Sequence, residues 1–103
     1  MNDERLTDQL AERGMGWRLA PGRYLSSGRS WISRSRFRPL VDVRDAFRLL
    51  DAVSTDYTLL ATPGGVFRAQ VRRAGRIGEA TGEPKARAIA LAVSRALGLD
   101  EGA

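Results

Sequence analysis

Apolar residues recur at helical spacing in three separate parts of the chain, and each part predicts a helix. In the first, Leu6 and Leu10 lie one turn apart behind early acidic residues that suit the positive end of the helix dipole. In the second, Asp42 is the predicted cap, and the apolar positions that follow indicate one buried face: Val43, Ala46, Phe47, Leu50 and Val53. The third helix begins after Gly82 and ends at Gly98. It is apolar around most of its circumference, which is typical of deep burial or of packing on a partner as well.

Between the second and third helices, strand-like alternation predicts an antiparallel meander of three strands over about 57–62, 66–73 and 76–81. The turns between them are Pro63-Gly64-Gly65 and Ala74-Gly75. In the middle strand Phe67, Ala69 and Val71 face one way, and Arg68, Gln70 and Arg72 face the other. The pattern leaves open whether the polar face meets water or is covered by the first helix.

Together these elements predict an α+β fold in which an antiparallel sheet of three to four strands is flanked by three helices. The length of 103 residues fits one domain. Within 1–103 we predict an N-terminal helix over 1–14, an arginine- and aromatic-rich segment over 18–38, and an α-β-β-β-α core over 40–99. The middle segment is poorly periodic, and a short strand near 18–25 is the most that its pattern supports.

The composition narrows the function classes. The chain has no cysteine and no histidine, so disulfides and thiol catalysis are excluded, and the commonest general base and metal ligand are missing. Asp42 and Asp45 are interpreted as capping residues. We therefore predict a protein that is not an enzyme, with no catalytic residue, no metal site and no cofactor. No membrane span and no signal peptide is recognisable, which predicts a cytoplasmic location.

Positive charge is concentrated in one segment. The net charge is +5, and residues 13–38 hold seven arginines and no acid. Four of the seven aromatic residues are interleaved with them, an arrangement that suits phosphates and stacked bases. The same residue types also anchor protein partners. The predicted binding residues are Arg18, Arg23, Tyr24, Arg29, Trp31, Arg34, Arg36 and Arg38. The alternative is that Trp17 and Phe37 belong to the core and the arginines lie on a solvated loop, with arginine preferred over lysine because of a GC-rich genome.

A second, weaker set of basic residues lies on the polar strand face, its turn and the start of the last helix. These predicted secondary binding residues are Arg68, Arg72, Arg73, Arg76 and Lys85. The alternative is an ordinary solvent face whose cations are paired with acids of the same chain.

Several short motifs occur in a recognisable order. They are Met15-Gly16-Trp17, Pro39 to Asp42 followed by Ala46-Phe47 and Leu50, Phe67 with Ala69, Glu79-Ala80, Pro84, Ala88 to Ala92, and Ala96-Leu97-Gly98. In this order the chain resembles the phage ABA (α/β/α) sandwich domain family of small phage and prophage proteins. It departs from the family pattern at Leu40-Val41, at Phe47 and at Ala90, and the arginine-rich segment is not part of that pattern. The resemblance implies a phage or prophage origin and a three-layer fold, and it implies no activity.

These observations predict a non-catalytic, phage-type accessory protein that binds an anionic partner: nucleic acid, a nucleotide or a host ribonucleoprotein. The alternative is an inhibitor or adaptor of a host protein, as a homodimer or other homo-oligomer through residues 84–98. Action against host defence is suggested by analogy with other phage proteins of this size, and not by any residue.

Overall fold

The computed structural model describes residues 3–26, 30–54 and 56–99, so the predicted site residue Arg29 lies outside the described residues. Its helices are α1 (Asp3–Gln9), continued by a π-helical turn (Leu10–Gly14), a 3₁₀ turn (Arg34–Arg36), α2 (Val43–Val53) and α3 (Lys85–Ala96). Its strands are β1 (Arg18–Ala20), β2 (Arg23–Leu25), β3 (Trp31–Ser33), β4 (Asp56–Ala61), β5 (Phe67–Arg73) and β6 (Arg76–Gly82). The α+β fold and the predicted element order are confirmed.

The larger sheet has the order β4-β5-β6, antiparallel throughout. Ala69, Val71 and Ala80 are buried on one face, where α3 lies across β5 and β6 and α2 packs against α3. The opposite face is exposed, with Leu60 and Ile77 more than half accessible. The face that the sequence left undecided therefore meets solvent. Strict alternation in β5 arises because only one side of it packs on a helix.

Close packing between β6 and α3 depends on small residues. Alanines at one-turn spacing along α3, namely Ala88, Ala92 and Ala96, are all buried. Gly78 lies beneath the backbone of Ala92 and Ala96, where a Cβ atom would overlap main-chain atoms of the helix. The helix axis therefore approaches the sheet closely, and most of the apolar residues on which the predicted homo-oligomer contact over 84–98 rested are buried within the molecule. The structure gives that contact no support.

The arginine-rich segment forms a second antiparallel sheet of three short strands, β1-β2-β3, where only one strand was predicted. Gly22 turns the chain between β1 and β2 with φ +70°, a value that glycine adopts without strain. On the inner face Tyr24 packs in a cluster with Trp17 and Phe37, whose rings lie 4.9 Å apart in edge-on contact. This cluster joins the small sheet to the core and orders strands too short to be stable alone.

The second helix buries the predicted face in part: Ala46 and Leu50 are buried and Val53 packs against the core, as predicted. Leu49 is also buried, whereas Val43 and Phe47 are 41% and 37% exposed. Asp42 caps the helix as predicted, since its side chain accepts a hydrogen bond from the Arg44 backbone N–H at 2.9 Å. The predicted stripe at Val43 and Phe47 thus lies at the edge of the packed surface.

Across the described residues, none of the helices combines the length and the apolar character that crossing a bilayer would need.

Candidate binding surface

The outer face of the small sheet brings together three of the predicted site residues. The register places Arg18 opposite Leu25 and Leu25 opposite Trp31, so these residues share one face. Arg23 is two residues from Leu25 and lies on the same face. Of the alternate positions, Tyr24 is buried in the core and Ile32 packs against it, whereas Leu19 at the edge of the sheet is 44% exposed. We call this outward surface the Trp31 face, made of Arg18, Ala20, Arg23, Leu25, Trp31 and Ser33.

The Trp31 face carries an exposed aromatic ring with an arginine stacked on it. Trp31 is 52% exposed, and the guanidinium carbon of Arg23 lies 5.0 Å from the centroid of its ring. Neither Arg18 nor Arg23 forms an ion pair with a residue in the described part of the chain. The contact holds the guanidinium by attraction to the ring, and no carboxylate of the described residues compensates its charge.

Tyr24 is a core residue, which corrects its predicted place in the binding set. Its side chain is fully buried, with its ring centroid 6.0 Å from that of Trp17 and 6.1 Å from that of Phe37. Its hydroxyl donates a hydrogen bond to Oδ1 of Asp8 at 2.7 Å. A partner therefore has no access to the Tyr24 ring.

Arg34 is neutralised by carboxylates of α1, which also corrects its predicted role. Its Nη2 lies 2.7 Å from Asp8 Oδ2, and its Nη1 lies 3.0 Å from Glu4 Oε1. Asp8 thus accepts from both Arg34 and Tyr24 and joins α1 to the small sheet. Arg34 is a structural link between two elements, and its charge is no longer available to an anionic partner.

The pKa of Tyr24 is raised from 10.0 to about 12, first of all by burial and also by its hydrogen bond to Asp8 and the charge of that carboxylate, against the opposing effect of Arg34. Because the folded-state pKa is higher, this tyrosine contributes stability that is complete below pH 10 and lost as the pH rises towards 12. We expect the free energy of unfolding to be about 2 kcal/mol lower near pH 12 than below pH 10 on this account. Urea unfolding at both pH values, compared between the wild type and Tyr24→Phe, checks this. The same loss in the variant would contradict the assignment.

Arg36 and Arg38 are exposed and form no ion pair with described residues. Arg36 ends the 3₁₀ turn that follows β3, and the Arg38 backbone N–H donates to Asp45 Oδ2 at 2.8 Å. Arg38 also lines a cleft of about 560 Å³ between α1 and residues 33–41. Acidic side chains of α1 line the same cleft and pair with Arg34 and with Arg87. The cleft is thus of mixed charge, and it does not favour an anion as the Trp31 face does.

The secondary set does not form one site. Arg68 is paired with Glu79 on the open face of the larger sheet, and the Arg72 guanidinium lies 3.9 Å from Asp56. Arg73 and Arg76 face each other beside the β5–β6 turn, and the Arg76 guanidinium lies beside Gly98 at the end of α3. Lys85 is separate from these residues, with its Nζ 5.7 Å from the centroid of the Phe67 ring.

The residues that the sequence analysis did not identify are the partners of this segment. Asp8 and Glu4 neutralise Arg34, and Arg48 of α2 stacks on the ring of Trp17 at 5.1 Å. The sequence contained one indication that Asp8 and Glu4 could pair with arginines of this segment. An acidic helix directly precedes a basic segment that has no acid. Nothing in the sequence indicated Arg48.

Comparison with solved structures finds a similar fold. The crystal structure of a phage protein from Bacillus cereus ATCC 14579 superposes with a TM-score of 0.79 at 13% sequence identity, covering 97% of this chain and 91% of that one. The chain shares the fold of that phage protein. No protein-family model matches the sequence. No curated protein matches it either.

Proposed function

We propose that this protein is a phage accessory protein that binds single-stranded nucleic acid through the Trp31 face, without catalysis. The observation that carries the proposal is the half-exposed Trp31 ring with the Arg23 guanidinium stacked against it, a guanidinium that has no ion pair within the described ranges. We also propose that it acts in the host cytoplasm and belongs to the phage α/β/α sandwich family that its motifs resemble. The likeness to a phage protein of the same fold supports the phage setting.

The chemistry of the Trp31 face suits a flexible, unpaired strand. An exposed indole offers a flat surface on which any base can stack, and neighbouring guanidinium groups neutralise the phosphates on either side of that base. Arg18 and Arg23 lie on the same face as the ring and have no carboxylate partner among the described residues. The net charge of +5 adds long-range attraction for a polyanion.

The number of free arginines sets the expected salt dependence. Arg34 is neutralised, so the described part of the segment has Arg18 and Arg23 on the Trp31 face, with Arg36 and Arg38 as the most it can add. Two to four phosphate contacts predict a slope of log affinity against log salt of about −1.4 to −2.8 for a single strand.

Fluorescence anisotropy of labelled single-stranded DNA and RNA across a salt series tests this proposal. We expect binding at low salt with a slope in that range, and weaker binding to Arg23→Ser. Arg68→Ser is the matched control, because it removes the same charge from an arginine already paired with Glu79. Absence of binding at low salt, or equal losses for the two variants, would refute the proposal.

A second candidate function, as an inhibitor or adaptor of a host protein such as a defence component, is favoured by a different surface. Val41 is 52% exposed two residues before α2, and Val43 and Phe47 are exposed one turn apart on that helix. Exposed apolar side chains grouped in this way are typical of protein contacts. We expect nuclease-treated host lysate to yield a protein bound to the wild type and lost with Phe47→Ser. Retention by both forms would argue against this surface.

A further inference from the structure

The larger sheet has one backbone edge, along β4, whose hydrogen-bonding groups have no partner in the part of the chain that the structure describes. At the end of the β4–β5 hairpin, the Thr62 N–H donates a hydrogen bond to the Val66 carbonyl at 2.9 Å. The register therefore directs the N–H and C=O groups of the even-numbered residues of β4 towards β5. Alternation then directs the backbone groups of Tyr57, Leu59 and Ala61 outwards. None of these groups has a partner among the described residues. Each of these three residues thus offers one backbone donor and one backbone acceptor along the outer edge of β4.

The opposite edge of the same sheet is occupied. In β6 the outward-facing carbonyl of Glu79 accepts a hydrogen bond from Nη1 of Arg95 at 2.6 Å. Arg95 comes from α3, the helix that lies against β6. An arginine at this carbonyl, the middle of the outward-facing positions of β6, hinders a further strand from pairing there. The sheet therefore offers β4 and not β6 to another chain.

The side chains of β4 do not protect its edge. Natural edge strands are shielded by lysine, proline, bulges or very short length. The six residues of β4 include neither lysine nor proline, and β4 pairs with β5 over its full length without a bulge. Tyr57 and Leu60 are 37% and 54% exposed. Such an edge favours pairing with another strand.

We propose that a second copy of this chain pairs with β4 through an antiparallel β4–β4 contact, forming a homodimer with a continuous six-stranded sheet. The outward residues match when Leu59 lies opposite Leu59 of the second copy and Tyr57 lies opposite its Ala61, with the two-fold axis at Leu59. This register uses every free backbone group of the edge and places Leu60 beside Thr58 of the second copy.

Charge permits this register. Asp56, the only charged residue of β4, lies opposite Thr62 of the second copy, so no like charges face each other. The contact is isologous, because the same residues contribute on both sides, and such a contact closes on itself. Since Arg95 occupies the other edge, the assembly ends at two copies.

Sedimentation velocity of the full-length protein over a concentration series tests the proposal. We expect a concentration-dependent species of twice the 11.3 kDa mass of the chain. Ala61→Pro removes an outward N–H that bonds to none of the residues described in the monomer, and two hydrogen bonds are lost per dimer. We expect this to weaken the dimer at least about tenfold. Ala61→Ser keeps the donor and is the matched control, with unchanged self-association expected.

Hydrogen exchange of the wild type gives a readout that requires no variant. The amides of Tyr57, Leu59 and Ala61 should exchange more slowly at dimeric than at monomeric concentrations. The inward amides of Thr58 and Leu60 should be protected at both. A monomer at every concentration, species larger than a dimer, or a dimer in which the outward amides exchange freely would each overturn the β4 contact.

Discussion

Gly78→Ala is expected to lower the free energy of unfolding by about 3 kcal/mol. The added Cβ would overlap backbone atoms of Ala92 and Ala96, and backbone cannot turn aside as a flexible side chain can. The helix α3 would have to move away from β6, opening contacts throughout the core. For a domain of this size the change corresponds to a Tm lower by roughly 12–24 °C, measured by circular dichroism.

Gly82→Ala is the matched control for this prediction. Gly82 lies in the same strand and faces the same helix, but a Cβ there would lie 3.6 Å from the backbone nitrogen of Ala88, an ordinary contact. We expect a change in stability below about 1 kcal/mol. Equal losses of unfolding free energy in the two variants would mean that the close approach at Gly78 does not determine how α3 packs on the sheet.

Trp31→Ala is expected to weaken binding to single-stranded nucleic acid by about 5- to 150-fold, because stacking of one base on an aromatic ring contributes about 1–3 kcal/mol. The ring is 52% exposed, so its removal should change folding stability little. Anisotropy titrations at one fixed salt concentration measure the affinity, and thermal unfolding of the same samples checks the fold.

Trp31→Tyr separates stacking from general disturbance of the face. Tyrosine keeps a flat ring for a base and for Arg23, so most of the affinity should remain. If the alanine and tyrosine variants lose affinity equally, stacking does not carry the binding. If neither loses affinity, the Trp31 face is not the binding surface.

The local alternation of apolar and polar residues was sufficient to predict the strands of the larger sheet, but not those of the smaller one. Strand β5 was predicted within a residue of its bounds because burial of alternate residues against α3 imposes a period of two. The strands of the small sheet have three residues each, too few to display a period. Their order comes from the packing of Tyr24 with Trp17 and Phe37, and this tertiary contact leaves no local trace.

The candidate site was predicted only in part, because contacts between residues distant in the sequence decide which side chains are exposed and which are paired. Arg18, Arg23 and Trp31 share a face because strand pairing places them there, and their residue types had indicated a stacking surface. The neutralisation of Arg34 depends on carboxylates 26 and 30 positions away, so composition within the segment could not reveal it. Likewise, the aromatic composition of the segment did not distinguish the exposed Trp31 from the buried Tyr24.

The most direct test of the Trp31 face uses the two tryptophans of the chain. Each indole N–H gives one resonance in a two-dimensional proton–nitrogen NMR spectrum, one from the exposed Trp31 and one from the buried Trp17. Titration with a short oligothymidine at low salt should shift the Trp31 resonance progressively and leave that of Trp17 nearly unchanged. A spectrum in which the Trp31 resonance does not move would contradict nucleic-acid binding at this face.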